Sequence, residues 1–352
     1  MKPYIKISSF SGCVFLLIAG TLFFFTSCSK ENCKRQENGK IFVANEDDGT
    51  ISVIDSKTYK EIETIDLAHK GEMYMAHNIQ VAPNGETFWI TAPPMHGHGA
   101  EFVIVANCRN GKILEYINLG EEQHLAHVVL DSESKFAYAS ANTSGQVIKI
   151  DAVKMEEVER YDLGADSGPH GLRYMNEKLY VACMSSGEMV SIDIATSTLT
   201  HIPVGGIAVQ TAVLPLIGCV FVSVYDLKEV VRYDVSTGDT TVILLPAGSQ
   251  GPIQLYPSPD NQFVYVCDQG IVNGNPSSNK LYVINTITNT VTNTVVVGNG
   301  AHGVVVSEDG TKIFVSNLED NSISVVDAQN LTVITTIEVG QSPNGISTLD
   351  CD

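Results

Sequence analysis

Four histidines recur in similar short segments, each just before an apolar run. The segments are YMAHNI (74–79), HLAHVV (124–129), SGPHGL (167–172) and NGAHGV (299–304). Imidazole nitrogens bind zinc and copper, and histidine is also the side chain best suited to proton transfer near neutral pH. If the fold brings these segments together, the candidate metal ligands are His77, His127, His170 and His302.

A fifth and a sixth histidine stand two positions apart in the segment APPMHGHGAEF (92–102). Glycine follows both His96 and His98, and glycine lets a loop adopt backbone conformations that other residues avoid. Such a loop can fold over a neighbouring site. Duplication of a repeat does not account for this pair, so we include both residues among the candidate metal ligands.

The elements that position these histidines are internal repeats. Residues 300–340 contain GVVVS, KIFVSN, SISVVD and VITTIEV, which are rich in Val, Ile and Thr and therefore predict four β-strands. Each copy ends at a glycine, and the glycines of successive copies are 41 to 50 residues apart. The six complete copies are residues 77–120, 125–164, 168–205, 207–248, 251–298 and 300–340.

Two partial copies lie at the ends of the repeat region. Residues 40–67 have the pattern of the last three strands, and residues 342–350 have that of the first. An open array would leave both fragments as exposed strand edges, whereas a closed ring joins them into a seventh copy. The sequence therefore predicts an all-β fold, a seven-bladed β-propeller over residues 40–352 that the C-terminal strand closes.

Each copy that contains a third strand, including the partial copy at 40–67, has a short Asx residue in the turn after that strand. Asp and Asn side chains hydrogen-bond to the backbone of a turn, so we expect a structural role here and no catalytic one. These residues are Asp55, Asn107, Asp151, Asp193, Asp234, Asn285 and Asp327.

The segments KIFVSNLEDNSISVVD, KIFVANEDDGTISVID and TTIEVGQSPNGI resemble the YVTN β-propeller repeats of surface-layer-type proteins. The resemblance covers nearly all of residues 40–350. Related propellers include binding and scaffolding proteins, lactonases, and the propeller domains of nitrous oxide and cytochrome d1 nitrite reductases, so the resemblance implies a fold without one activity. Pro or His often occupies the first-strand position in this family, which favours a structural origin for the four recurring histidines.

In a propeller the first strand of each blade lines the central channel. One polar residue per blade then converges at one mouth of that channel, and loops between second and third strands, including the one with His96 and His98, face the same side. The seven channel positions are His77, His127, His170, Gln210, Gln254, His302 and Asn344. This face is the predicted ligand face, with copper or zinc as its candidate cofactor and d1-type haem as a less favoured one.

The N-terminus has the features of a bacterial lipoprotein signal. Lys2 and Lys6 precede the apolar run VFLLIAGTLFFF, and FTSC ends at Cys28. We expect residues 1–27 to be removed, Cys28 to carry lipid, and residues 28–39 to form a polar tether. An uncleaved membrane anchor is the alternative. Both place the propeller at the cell envelope, periplasmic or surface-exposed.

Six cysteines remain outside the signal and the lipid site. Cys33 precedes the first predicted strand and Cys351 follows the last, so closure of the ring predicts a disulfide between them. Cys183 and Cys267 end second strands of blades that are not adjacent, and we expect both to be small buried hydrophobic residues.

Three function classes remain open. The formal net charge of −19 argues against nucleic acid as a partner, because phosphate would be repelled. The favoured class is a monomeric, membrane-tethered binding protein whose histidine face takes a protein, a glycan or a metal ion. The alternatives are a metal- or haem-dependent redox or metal-handling protein and, last because no GxSxG or HExxH motif occurs, a lactonase-type hydrolase.

Overall fold

The computed structural model describes residues 39–271 and 274–350. In these ranges the chain forms seven four-stranded antiparallel sheets, which are the seven blades of the predicted propeller. The predicted signal peptide, Cys28 and the Cys33–Cys351 disulfide lie outside the described residues. Within the two ranges, no helix is long and apolar enough to cross a membrane.

Each blade runs from an inner strand at the channel to an outer strand at the rim. In that order the blades are β28 (Pro343–Leu349), β1 (Lys40–Asn45), β2 (Thr50–Asp55), β3 (Glu61–Asp66); β4 (Asn78–Val81), β5 (Thr87–Ala92), β6 (Ala100–Asn107), β7 (Ile113–Glu121); β8 (Leu125–Leu130), β9 (Phe136–Ala141), β10 (Gln146–Asp151), β11 (Glu156–Asp162); β12 (Pro169–Met175), β13 (Lys178–Cys183), β14 (Glu188–Asp193), β15 (Thr198–Pro203); β16 (Ala208–Leu214), β17 (Cys219–Val224), β18 (Glu229–Asp234), β19 (Thr240–Leu244); β20 (Pro252–Pro257), β21 (Phe263–Asp268), β22 (Lys280–Asn285), β23 (Thr290–Val296); and β24 (Ala301–Val306), β25 (Lys312–Asn317), β26 (Ser322–Asp327), β27 (Thr332–Glu338).

The two ends of the repeat region meet in one blade, as predicted. Strand β28 pairs with β1 in antiparallel register, with Phe42 opposite Ser347 and Val43 opposite Ile346. This pairing removes the two free edges that an open array would leave. Closure therefore holds the N-terminal and C-terminal strands in the same sheet.

The hydrophobic core lies between neighbouring blades. Inner and middle strands are buried almost throughout, whereas an outer strand such as β3 is exposed at most positions. Phe42 and Phe88, from adjacent blades, place their ring centroids 4.6 Å apart. Apolar β-branched and aromatic residues thus fill the gap between twisted sheets, which is why the strands are so rich in Val and Ile.

Hydroxyl side chains on the second strands tie each inner strand to the next. Ser140 accepts a hydrogen bond from the His127 backbone N–H and donates to the His170 carbonyl. Thr91 does the same between β4 and β8, and Ser316 between β24 and β28. These bonds fix the spacing of neighbouring strands at the channel, and with it the positions of the histidines.

The Asx residues after the third strands are structural, as expected. Asp151 accepts hydrogen bonds from the backbone N–H groups of Val153 and Lys154, and the other positions are similar. The buried thiols Cys183 and Cys267 are unpaired, which also agrees with the prediction.

Candidate functional site

The seven predicted channel positions converge at one mouth of the propeller. His77 directly precedes β4, and the other six lie near the beginnings of the inner strands of their blades. His127 and Gln210 are fully buried, whereas the side chains of His77 and His170 are partly exposed. The mouth is therefore lined by polar side chains that the surrounding protein holds in place.

Three of the four recurring histidines form a compact triad. His77, His127 and His170 each offer a ring nitrogen, and these three atoms lie within 4.8 Å of one another. Ring centroids are 4.9 Å apart for His127 and His170, and 6.0 Å apart for His77 and His170. The triad comes from three consecutive blades, so only the closed fold assembles it.

Glycine permits the close approach of the inner strands at this level. A Cβ atom on Gly171, the residue after His170, would lie 2.3 Å from the Gln210 Oε1 atom. A Cβ atom on Gly303, the residue after His302, would lie 2.4 Å from the Asn344 carbonyl oxygen. The His-Gly pairs in the sequence thus follow from packing, because any larger residue would push neighbouring blades apart.

Hydrogen bonds orient two of the triad rings. The His77 Nδ1 atom lies 2.7 Å from a carboxylate oxygen of Glu46, and the His170 Nδ1 atom lies 3.0 Å from the Val209 carbonyl oxygen. Both partners can only accept, so Nδ1 donates in each ring and Nε2 is the basic nitrogen. The His77 Nε2 atom is buried without a hydrogen-bond partner among the described residues.

The third ring has the opposite arrangement. The Gln210 side-chain nitrogen lies 3.2 Å from the His127 Nδ1 atom, and the Gln210 oxygen accepts from the Thr211 backbone N–H at 2.8 Å. Because an amide nitrogen only donates, His127 carries its proton on Nε2 in this arrangement. Binding a metal ion through Nε2 would require that proton to leave and the Gln210 amide to turn over.

The pKa shifts set His77 apart from the other two histidines of the triad. Burial, with repulsion from His77, lowers the pKa of His170 to about 3, and burial also takes the pKa of His127 well below its ordinary value. Burial opposes charge on His77 as well, but the Glu46 carboxylate outweighs it and raises the pKa of His77. His127 and His170 are therefore neutral near pH 7, as metal ligands must be.

Glu46 is the charged group closest to the triad. Burial alone would raise its pKa, but the charge and hydrogen bond of His77 and a hydrogen bond from Asn344 lower it to about 2. The Asn344 amide nitrogen lies 2.7 Å from the second carboxylate oxygen. Glu46 is thus an ionised carboxylate directly behind a triad ring.

The remaining channel positions surround the triad without joining it. His302 is buried, burial lowers its pKa to about 4, and its Nδ1 atom has no hydrogen-bond partner in the described part of the chain. The Gln254 amide nitrogen is likewise buried and unpartnered there. His302 therefore belongs to the ring by position, and the potential ligand group comprises only the other three recurring histidines.

The other histidines lie at varying distances from this mouth. The His124 ring centroid is 6.3 Å from that of His77, whereas His69 stacks on Tyr116 at 3.9 Å. His96 and His98 are exposed between β5 and β6. Neither belongs to the group of three potential ligands found among the described residues. Their role as metal ligands stays a prediction.

Two partners of the triad were not predicted from the sequence. Glu46 is not among the predicted site residues, and Gln210 is predicted only as a channel position. A Glu just after a second-strand motif, in KIFVANEDDG, is a weak signal without the structure, because the partner histidine is 31 residues away.

No protein-family model matches the chain, and no curated protein sequence matches it. Several solved structures share its fold. Hydrazine synthase from Kuenenia stuttgartiensis has a TM-score of 0.66 and 14% identity, covering 77% of this chain and 89% of that one. Apo AztD from Citrobacter koseri has a TM-score of 0.66 and 14% identity, covering 90% and 98%. Virginiamycin B lyase from Staphylococcus aureus has a TM-score of 0.65 and 16% identity, covering 89% and 97%.

These likenesses establish the seven-bladed β-propeller. Identities this low leave the function to be argued from the site itself. Membership of the YVTN family stays a prediction from the repeat motifs.

Proposed function

We propose that this protein binds a divalent transition-metal ion, zinc or copper(II), through His77, His127 and His170. The observation that carries the proposal is the approach of three imidazole nitrogens to within 4.8 Å of one another at the channel mouth. Nitrogens on a tetrahedral zinc ion are roughly 3.3 Å apart, so modest ring rotations, together with the change at His127 and Gln210 described above, would bring all three onto one ion. Imidazole is a preferred ligand for both metals.

Glu46 supports this proposal from behind the ring of His77. Metal-binding histidines commonly donate their second N–H to a carboxylate, which fixes the tautomer and strengthens the ligand. The pair of His77 and Glu46 has this arrangement, and the buried His77 Nε2 atom has no partner among the described residues. A purely structural histidine would have no need of an unpartnered buried nitrogen, which carries an energetic cost.

Three protein ligands leave one position of a tetrahedral ion open. His77 and His170 are partly exposed at the channel mouth. An open position suits an ion that is taken up and released, or one that binds a further small ligand. The favoured function is therefore metal binding at the cell envelope, with Cys28 as the proposed lipid anchor.

The decisive experiment measures zinc and copper affinity of the purified chain by competition with a chromophoric chelator. We expect one ion per chain, and loss of that binding in the triple variant His77→Ala, His127→Ala, His170→Ala. His201→Ala is the matched control, because His201 lies on the outer strand β15 and pairs with Glu188 at 2.9 Å.

A wild-type chain that binds no metal above background would overturn the proposal. So would a triple variant that is folded, by thermal melting, and still binds as tightly as the control.

A further inference from the structure

The far end of the central channel opens into a cavity of about 860 Å³. Its walls are formed by residues near the ends of the inner strands, whereas the histidine ring lies near their beginnings. On β12, for example, His170 belongs to the triad, and Arg173, three residues later, lines the cavity. The volume falls within the range of small-molecule sites.

Arg173 is the one cation that lines this cavity within the described chain. Its guanidinium donates one hydrogen bond, to the Leu172 carbonyl at 2.9 Å, and lies 5.9 Å from the centre of the Tyr256 ring. In the described part of the chain it makes no ion pair with a carboxylate. Burial lowers the pKa of Arg173, because protein atoms replace much of the water around its charge.

The other four N–H donors of this guanidinium have no acceptor among the described residues, so they are available to water or to a ligand in the cavity. The planar fork of arginine matches a carboxylate group in two parallel hydrogen bonds. An anion that enters the cavity would therefore find its partner at the inner end.

The rest of the cavity restricts what such an anion can be. Val129, Val213 and Val306 come from three different blades and give the cavity apolar wall area, beside polar side chains such as Gln80 and Ser307. Two acidic residues also line the cavity. Glu308 is exposed and lies at the outer edge, and its backbone N–H donates a hydrogen bond to the Asp350 carboxylate. These negative charges repel a second anionic group at the outer end of a ligand.

We propose that this cavity binds a small organic monocarboxylate, with its carboxylate on Arg173 and its apolar body between the valines and Tyr256. The site is separate from the histidine triad and does not depend on metal binding. The class of ligand follows from one cation at the inner end, apolar walls and an acidic rim.

The test is calorimetric titration of the metal-free chain with hexanoate, hexanol and adipate. These probes share a six-carbon chain and differ in having one carboxylate, none and two. We expect hexanoate to bind at least tenfold more tightly than either of the others. Arg173→Gln should lower the affinity for hexanoate at least tenfold, and Glu308→Gln should raise the affinity for adipate.

Arg160→Gln is the control, since Arg160 lies on the outer strand β11 and pairs with Glu157 outside the cavity. It should leave hexanoate binding unchanged. If Arg173→Gln does not fold, Arg173→Lys keeps the charge and should weaken hexanoate binding less than tenfold while losing the paired hydrogen bonds.

The comparison of hexanoate with hexanol on the unaltered chain tests the proposal without any variant. Absence of hexanoate binding at millimolar concentration would overturn it, as would equal binding of hexanol. A chain that binds zinc but not hexanoate, or the reverse, distinguishes failure of this proposal from failure of the proposed metal function.

Discussion

The two ends of the central channel are built from the same seven strands and differ in chemistry. At the histidine end, small residues such as Gly171 and Gly303 let the strands approach closely, and polar side chains contact one another. At the arginine end, valine and tyrosine side chains help to line an open cavity, where Arg173 is the one cation that the described residues contribute. The same strands therefore present different side chains at their two ends, mostly imidazole and amide groups at one and an arginine among valines at the other.

The largest expected effect separates the triad from the rest of the histidine ring. His170→Ala should weaken zinc binding at least about a hundredfold, because it removes a ligand. His302→Ala should change zinc affinity less than about threefold, since His302 is not in the ligand group. Chelator competition measures both affinities. Equal losses in the two variants would show that the whole ring, and no triad within it, holds the ion.

The second prediction concerns the carboxylate behind the triad. Glu46→Gln should weaken zinc binding by about tenfold or more, because the neutral amide polarises His77 less than a carboxylate does. It should also destabilise the metal-free chain by about 1–3 kcal/mol, measured by denaturant unfolding. Asp47→Asn, a change in the adjacent residue whose carboxylate bonds to Ser342, is the control and should leave zinc affinity unchanged.

The same carboxylate gives a dependence of stability on pH. The pKa of Glu46 is about 2 in the folded chain, against 4.5 for an unperturbed glutamate. A depressed folded pKa means that its stabilisation is complete above pH 4.5 and is lost as pH falls toward 2. The difference in unfolding free energy between the wild type and Glu46→Gln should therefore shrink over that interval. A constant difference would contradict the charged state assigned to Glu46.

The third prediction is a substitution that should strengthen metal binding at the histidine end. Gln210→Glu should raise zinc affinity about tenfold, because a carboxylate accepts from His127 Nδ1 and leaves Nε2 free for metal. It would keep the acceptor for the Thr211 N–H. Gln254→Glu, at the same position of the next blade, is the matched control and should have the smaller effect. A Gln210→Glu chain that is folded but binds zinc no better than Gln254→Glu would argue against ligation through Nε2.

The smallest expected effect concerns the electrostatic interaction between Arg173 and the triad at the opposite end of the channel. The positive charge of Arg173 contributes to lowering the pKa of His127, so it also repels a cation held by that ring. Arg173→Gln should raise zinc affinity about two- to threefold at low salt, with a smaller gain at high salt. A decrease in zinc affinity would mean that Arg173 supports the triad through structure and not through charge.

The sequence by itself determined the architecture. The repeat step, the partial copies at both ends and the Asx residues are local patterns, and each has one structural explanation that periodicity and turn chemistry supply. The same periodicity located the channel positions, from His77 to Asn344, because each copy repeats the same strand order. The seven sheets and the pairing of β28 with β1 agree with the predicted architecture.

Only the tertiary structure decided which of these positions act together. The four recurring histidines occupy equivalent positions in the repeat. His302 nevertheless lies outside the triad, because packing between blades and ring rotamers set the distances between the imidazole nitrogens. Glu46 and Gln210 became partners through contacts 31 and 83 residues apart in the chain. Arg173 does not stand out in SGPHGLRYM, because its lack of an ionic partner among the described residues is visible only where seven strand ends enclose a cavity.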